Sequence, residues 1–170
     1  MIKRKYKGGP KAMPRMRRRD REIETREEML HVLDTCKVLH VAMQDEDGIY
    51  ILPMNFGYIY EGEELVFYLH AALEGKKLDL LKVNPKVGFE LDCDHELIEG
   101  RVACQYGYRY ASIVGKGEAQ IVDDPQEKIQ AMSVLMKCQT GKDFEFNERL
   151  VSIVSVIKIT AVEFSGKRRE

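Results

Sequence analysis

Three runs of strand-forming residues follow one another with only short polar turns between them, and this spacing restricts the fold most. The runs are Val38 to Met43, Ile49 to Tyr60 and Leu65 to His70, and turn residues occupy positions 45–48 (DEDG) and 61–63 (EGE). Parallel neighbouring strands need a crossover of a dozen or more residues. Connections as short as these therefore predict an antiparallel meander.

Three helices are predicted from their start and stop signals. A capping box at positions 25–28 (TREE) predicts a helix from about Arg26 to Thr35. Gly75 can open a second helix over Lys76 to Val83, which Asn84-Pro85 ends. A third helix starts at Asp124-Pro125 and stops at Thr140-Gly141. Its expected buried stripe is Ile129, Met132, Leu135 and Met136.

The rest of the chain adds three strands to the meander. They are predicted over Lys86 to Asp92, Tyr110 to Val122 and Val151 to Phe164, with an irregular stretch from Asp94 to Gly107. Six strands with helices between and after them predict a mainly β fold with helices (α+β), in which an antiparallel barrel carries helices at its edges.

Composition is that of a soluble, reduced, cytoplasmic protein. The 170 residues are 44% hydrophobic, enough for one core, and contain no apolar run of about 20 residues of the kind that spans a bilayer. The basic N-terminus is not followed by the apolar stretch of a signal peptide. The four cysteines show no Cys-x-x-Cys spacing, so we expect free thiols.

Positive charge is concentrated at the N-terminus. Residues 1–21 hold ten Lys or Arg side chains and one acidic residue, Asp20, whereas the whole chain has a net charge of -1. Residues 1–20 are predicted to form a basic arm, mobile at least over 1–15, ahead of a single domain over 21–170. No aromatic residues interleave with these charges as in a nucleic-acid platform, so docking on an acidic surface of the protein's own assembly is favoured over nucleic acid.

Two local features suggest a ligand site. Pro53 lies inside a predicted strand, where it cannot donate to a ladder; we expect an edge or a bulge that exposes Met54, Asn55 and Phe56. The Gly75-Lys76-Lys77 sequence places two cations at a helix N-terminus, which favours anions. Two solvated surface lysines are the alternative.

His70 closes an apolar strand beside the predicted anion site. An imidazole there could donate a hydrogen bond or move a proton, and a purely structural histidine is equally open. Tyr106, Tyr108 and Tyr110 share parity, so on an extended segment they would line one face, as a flavin or substrate wall or as core.

Other site chemistries lack their residues. No Gly-x-Gly-x-x-Gly, P-loop or His-Glu-x-x-His pattern occurs. The Asp92-Cys93-Asp94-His95 sequence offers metal-ligand types, but successive strand residues face opposite sides of a sheet, so a strand end with solvated charges is favoured and no metal site is predicted.

The motifs in order resemble a known family. They are residues 53–58 (PMNFGY), 67–71 (FYLHA), 75–77 (GKK), 84–87 (NPKV) and 112–119 (SIVGKGEA). Together they resemble the FMN-binding split-barrel family, which includes pyridoxamine 5'-phosphate oxidase. Residues 17–23 (RRRDREI) and 99–107 (EGRVACQYG) make the NimA-like nitroimidazole-resistance flavoproteins the nearest likeness. The resemblance covers roughly residues 16–170.

This resemblance implies a fold and a cofactor site. The fold would be a six-stranded antiparallel split β-barrel of Greek-key type that forms a homodimer, with one FMN at each end of the subunit interface. Met54, Asn55 and Phe56 would run along the isoalloxazine, His70, Ala71 and Ala72 along the ring and ribityl chain, and Lys76 and Lys77 would hold the phosphate, with Tyr110 and Ser112 nearby. His70 would face the substrate as the catalytic residue.

The implied activity is NAD(P)H-dependent reduction of small acceptors such as nitroaromatic or nitroimidazole compounds. FAD, a deazaflavin or haem are alternative cofactors. A non-catalytic carrier or sensor, with His40 or His70 as an axial haem ligand, is an alternative function. A pyridoxamine-phosphate-oxidase-like activity is disfavoured, because the chain ends at positions 165–170 (SGKRRE) without the Arg-x-x-Pro ending of that oxidase.

Overall fold

The computed structural model describes residues 16–170. Positions 1–15, over which a mobile arm was predicted, lie outside the described residues. At the start of the described chain, Arg19–Arg21 form a single 3-10 turn.

Within residues 16–170 the fold consists of seven strands and four helices. The strands are β1 (Glu22–Ile23), β2 (Val38–Asp45), β3 (Gly48–Glu61), β4 (Glu64–Ala71), β5 (Lys86–Ile98), β6 (Gly107–Val122) and β7 (Ser155–Arg169). The helices are α1 (Arg26–Thr35), α2 (Lys76–Val83), α3 (Pro125–Thr140) and α4 (Glu148–Val151), and a second 3-10 turn covers Ala103–Gln105.

All strand pairs are antiparallel, in the order β1-β7-β4-β3-β2-β5-β6. An additional pairing of β6 with β7 closes the six long strands into a ring. The predicted mainly β class, the meander and the six long strands are confirmed. The two-residue β1 was not predicted because it is too short to show a period of two.

The predicted starts of α1 and α3 are confirmed, and a capping side chain is present at each. Thr25 accepts a hydrogen bond from the Glu28 amide at the start of α1, and Asp124 accepts one from the Glu127 amide at the start of α3. In α3 only Ala131 and Leu135 are buried, so the predicted stripe was partly wrong: Ile129, Met132 and Met136 are half-buried.

Two strand limits differ from prediction. The last strand begins at Ser155 rather than Val151, because the Asn147 side chain accepts a hydrogen bond from the Leu150 amide and caps α4. The stretch from Asp94, predicted to be irregular, continues β5 to Ile98 through a register shift between Cys93 and Glu96.

Aromatic side chains and one glycine hold the interior together. Phe67 lies edge-on to Phe56 and Phe89, with ring centroids 5.6 and 5.0 Å away. Gly57 lets α3 approach β3, since a Cβ there would lie 2.4 Å from the Leu135 Cα. The helix is therefore seated directly on the second half of β3.

None of the helices within residues 16–170 combines the length and the apolar character needed to cross a bilayer. All four cysteines are free: Cys36 and Cys93 are buried, Cys138 is half-buried and Cys104 is exposed.

Candidate functional site

The two halves of β3 have different neighbours. Over Phe56 to Glu61 the strand pairs with β4, whereas over Gly48 to Asn55 it pairs with β2. Within the described chain no strand covers the β4 side of that first half. The predicted edge at Pro53 is thus confirmed, and it arises without a bulge, because the β2–β3 register runs unbroken from Val38–Asn55 to Asp45–Gly48.

The side chains next to Pro53 are mostly committed to the fold. Met54 and Phe56 are buried in the core, so the predicted exposure of these two residues was wrong, and of the three only Asn55 is exposed. The Asn55 Nδ2 donates to the Lys37 carbonyl at 3.1 Å, and the Gln139 Nε2 of α3 donates to the Phe56 carbonyl at 2.8 Å. A ligand lying along this edge would accordingly meet backbone groups and the exposed rim of Asn55, while the side chains of Met54 and Phe56 support the edge from inside.

The end of β4 runs beside this edge. The β3–β4 pairing ends at Phe56–Leu69, so His70 and Ala71 directly follow the last paired residue of β4, and Asn55 and Met54 directly precede that of β3. His70 is exposed, Ala71 is buried and Ala72 is exposed. The structure therefore brings His70 and Ala71 next to Met54, Asn55 and Phe56, where β3 and β4 part.

Helix α2 supplies positive charge at the far end of the edge. Gly75 precedes it with φ +139°, and open space surrounds the position of a Cβ there. The Lys76 Nζ lies 2.5 Å from the Asp45 Oδ2 and 5.0 Å from the centre of the Tyr50 ring. The hydrogen bond from Lys76 lowers the pKa of Asp45 and raises that of Lys76 itself. Lys77 is half-buried.

These elements define a trench, by which we mean the uncovered edge of β3 from Asn55 to Tyr50, with His70 at one end and Lys76 and Lys77 at the other. Asn55 and Tyr50 are five residue steps apart, which in a strand corresponds to about 17 Å. The first backbone N–H groups of a helix have no partner inside it. An elongated ligand with a hydrogen-bonding ring at one end and an anion at the other matches this arrangement.

Tyr110 and Ser112 lie elsewhere in the same chain. Both belong to β6; Tyr110 pairs with Arg169, and the Ser112 Oγ donates to the Lys167 carbonyl at 3.4 Å. In the ring, β2 and β5 separate β6 from β3 on one side, and β7 and β4 do so on the other. Within one chain, Tyr110 and Ser112 therefore lie away from the trench.

Tyr110 instead lines a cavity of about 820 Å³ between α1 and the ends of β5, β6 and β7. Its walls carry His31, Asp94, Arg109 and Arg168. The sequence analysis did not predict this cavity, because its residues come from five elements that lie in distant parts of the chain.

The outer face of the sheet carries an apolar patch that the sequence analysis also missed. We call Ile49, Ile51 and Val114 the outer patch; they are 64%, 61% and 46% exposed. A groove of about 540 Å³ crosses this face past Ile51 and Val114 to His40 and Glu90. A signal was present in β3, where positions 49–52 (IYIL) are apolar on both faces, as in a strand covered on both sides.

His40 and Glu90 form a polar pair beside this patch. The His40 Nδ1 lies 3.4 Å from the Glu90 Oε2, yet it is buried without a well-aligned hydrogen bond. Burial, with a smaller contribution from the Asp92 charge, raises the pKa of Glu90. His40, offered as an axial haem ligand, therefore has a carboxylate neighbour at one ring nitrogen.

The comparison with known proteins agrees with this geometry. A family model described as pyridoxamine 5'-phosphate oxidase matches residues 25–168. The chain belongs to the pyridoxamine 5'-phosphate oxidase family. The match covers α1 and, apart from the last residue of β7, the six long strands, which confirms the predicted family.

Solved structures with this fold include a candidate 5-nitroimidazole antibiotic resistance protein from Bacteroides thetaiotaomicron, at 29% identity and a TM-score of 0.73, with 86% of each chain covered. A protein from Mycobacterium smegmatis that binds FAD and haem has 18% identity and a TM-score of 0.73, with 88% of this chain and 74% of that one covered. An FAD-binding protein from Mesorhizobium loti has 23% identity and a TM-score of 0.59, covering 88% and 98%. A search of the curated proteins found no match.

Proposed function

We propose that this protein binds FMN in the trench and acts as a flavin-dependent reductase. The observation that carries the proposal is the juxtaposition of the uncovered edge of β3, the exposed His70 and the Lys76-Lys77 pair in a member of the pyridoxamine 5'-phosphate oxidase family. Flavin is the typical cofactor of this family, and two of the structurally similar proteins bind FAD.

The residues present fit a flavin mononucleotide. The edge at Met54 and Asn55 offers backbone donors and acceptors of the kind that a polar isoalloxazine ring needs. The open space at Gly75, the helix N-terminus and the two lysines fit a terminal phosphate. Ala71 and Ala72 leave room for the chain between these ends, and the lysine pair at the trench end favours FMN over the longer FAD.

We further propose that two copies of the chain complete each site. Tyr110 and Ser112 are implied ligands that one chain keeps apart from Lys76, and a second copy can supply them. The outer patch of Ile49, Ile51 and Val114 supports this arrangement, because such an exposed apolar sheet face is typical of an interface. Its neighbours His40 and Glu90 add polar groups that a dimer would bury.

The proposed reaction is reduction of a small acceptor, such as a nitroimidazole or another nitroaromatic compound, by NADH or NADPH. When bound, the flavin supplies the redox chemistry that no side chain provides. His70 lies beside the predicted ring position with its imidazole exposed, so it can donate a hydrogen bond or a proton to the acceptor. The backbone edge of β3 and the two lysines then need only bind the flavin and orient it.

An absorbance experiment tests the activity. Purified protein loaded with FMN is mixed with NADH or NADPH without oxygen, and a nitroimidazole is added afterwards. We expect the flavin band to bleach and then to recover as the acceptor is reduced. If neither nicotinamide bleaches the band, the reductase proposal fails and a carrier or sensor role replaces it.

We also propose a cytoplasmic location. The basic arm of residues 1–20 is proposed to contact the protein's own assembly rather than nucleic acid. A salt-dependent DNA-binding assay tests whether the protein binds nucleic acid.

A further inference from the structure

We propose that His31, Cys93 and Asp94 form a binding site for one divalent metal ion, with zinc as the preferred ion. The three residues meet where α1 faces the register shift of β5, away from the trench. None of the three residues is among those that we assign to the flavin.

The donor atoms are already close together. The His31 Nε2 lies 2.7 Å from the Asp94 Oδ2, and the nitrogen, sulfur and oxygen donors of the three residues all lie within 4.8 Å of one another. Zinc binds such donors at about 2.0–2.3 Å, so ligands around a tetrahedral ion are about 3.5 Å apart. A small side-chain adjustment suffices to close the set.

The register shift in β5 explains why the sequence analysis predicted no site here. In a regular strand Cys93 and Asp94 would point to opposite faces. Between Cys93 and Glu96 the pairing with β6 shifts, and Asp94 adopts φ +59°. Asp is among the residues that tolerate this left-handed conformation. The irregular backbone allows Asp94 to reach His31 on the same side as Cys93.

The chemistry of the three donors points to zinc rather than to calcium or magnesium. A thiolate, an imidazole and a carboxylate suit zinc, whereas calcium and magnesium take oxygen ligands. Cys93 is 7% exposed, so its sulfur is shielded from solvent. Because zinc binds the thiolate, metal binding would replace the thiol proton and release it to solvent. The 820 Å³ cavity, which His31 and Asp94 line, gives a fourth ligand access.

A second cluster of potential metal ligands must be distinguished experimentally from the first. His40, Glu90 and Asp92 also have their donor atoms within 4.8 Å of one another. That cluster contains no sulfur and lies on the outer face of the sheet, beside the patch that we propose as the subunit contact. A thiolate signature therefore distinguishes the two clusters.

Cobalt titration of the full chain, after removal of metal with a chelator, provides the test. We expect one Co²⁺ per chain, a near-ultraviolet thiolate-to-cobalt charge-transfer band, and displacement of the cobalt by Zn²⁺. His31→Ala, Asp94→Ala and Cys93→Ser should each weaken zinc binding at least about tenfold, and Cys93→Ser should abolish the band. Cys104→Ser and His40→Ala serve as matched controls and should bind as the unaltered protein does.

Three results would overturn the proposal: no stoichiometric cobalt binding, binding without the thiolate band, or loss of binding in His40→Ala but not in His31→Ala. The His31 side chain is 57% exposed, so its alanine variant should fold even if Cys93→Ser does not. Flavin content is measured on the same samples, so that failure of the metal proposal can be distinguished from failure of the flavin proposal. Loss of the metal should leave flavin retention unchanged.

Discussion

The Lys76 Nζ lies 2.5 Å from the Asp45 Oδ2, which joins the first turn of α2 to the end of the β2–β3 hairpin. The contact fixes one of the two lysines that we assign to the FMN phosphate. It also sets a carboxylate beside the proposed anion site, so the two lysines differ: Lys76 shares its charge with Asp45, whereas no such contact is found for Lys77 within the described chain.

Removing both lysines should weaken retention of FMN. In the double variant Lys76→Ala, Lys77→Ala, two charged hydrogen bonds to phosphate are lost, each worth about 1.5–3 kcal/mol. We expect the dissociation constant to rise at least about a hundredfold, measured by flavin fluorescence. Lys82→Ala is the control, since Lys82 lies in the last turn of the same helix and pairs with Asp79. Unchanged affinity in the double variant would contradict the phosphate assignment.

The Asp45→Asn variant should have the opposite effect. It frees Lys76 and removes a negative charge near the phosphate, while the Asn oxygen can still accept the hydrogen bond that the Glu46 amide donates to Asp45 at 2.8 Å. Binding of FMN should become tighter, most clearly at low salt. Weaker binding would mean that Asp45 is needed to position Lys76.

His70→Ala should slow reduction of the acceptor without removing the flavin. We expect kcat to fall by about 10²-fold or more if the imidazole transfers a proton, with flavin content unchanged. His95→Ala is a suitable control, because His95 is exposed on β5 and contacts Asp92. A His70→Ala enzyme with unaltered turnover, or one that has lost its flavin, would leave His70 without the proposed role.

Mixing two defective subunits tests whether each site is shared. One variant lacks Lys76 and Lys77, and the other carries Tyr110→Phe with Ser112→Ala. If each site combines the two groups from different chains, a mixed dimer has one intact site and one doubly altered site, so mixing should restore flavin binding to half of its sites. Lack of any restoration after confirmed subunit exchange would place both groups in one chain's site.

Sequence reasoning predicts most of the fold because its signals are local. Capping residues such as Thr25 and Asp124 specify where helices begin, and the short turns specify the meander. The candidate site at Asn55, His70 and Lys76 could be named from the sequence because each residue belongs to a local motif, and its role in binding stays a prediction. The meeting of Asp94 with His31 could not, since it depends on a register shift and on a helix 63 positions away.

The outer patch and the separation of Tyr110 from Lys76 follow from the closed order of the sheet. A single strand shows only the parity of its residues. Which strands stand between β3 and β6 is set by the β6–β7 pairing, a contact between distant parts of the chain. The family resemblance therefore identified Tyr110 and Ser112 as candidate ligands. It did not show that, within one chain, these two residues lie away from the trench.

The cofactor content of the purified full-length protein tests the central claim most directly. The protein is denatured, and the released chromophore is identified by chromatography and quantified against chain concentration. The account predicts FMN at up to one per chain, bound to a dimer in solution. A protein that neither carries nor takes up flavin, or that shows only the Soret band of haem, would contradict it.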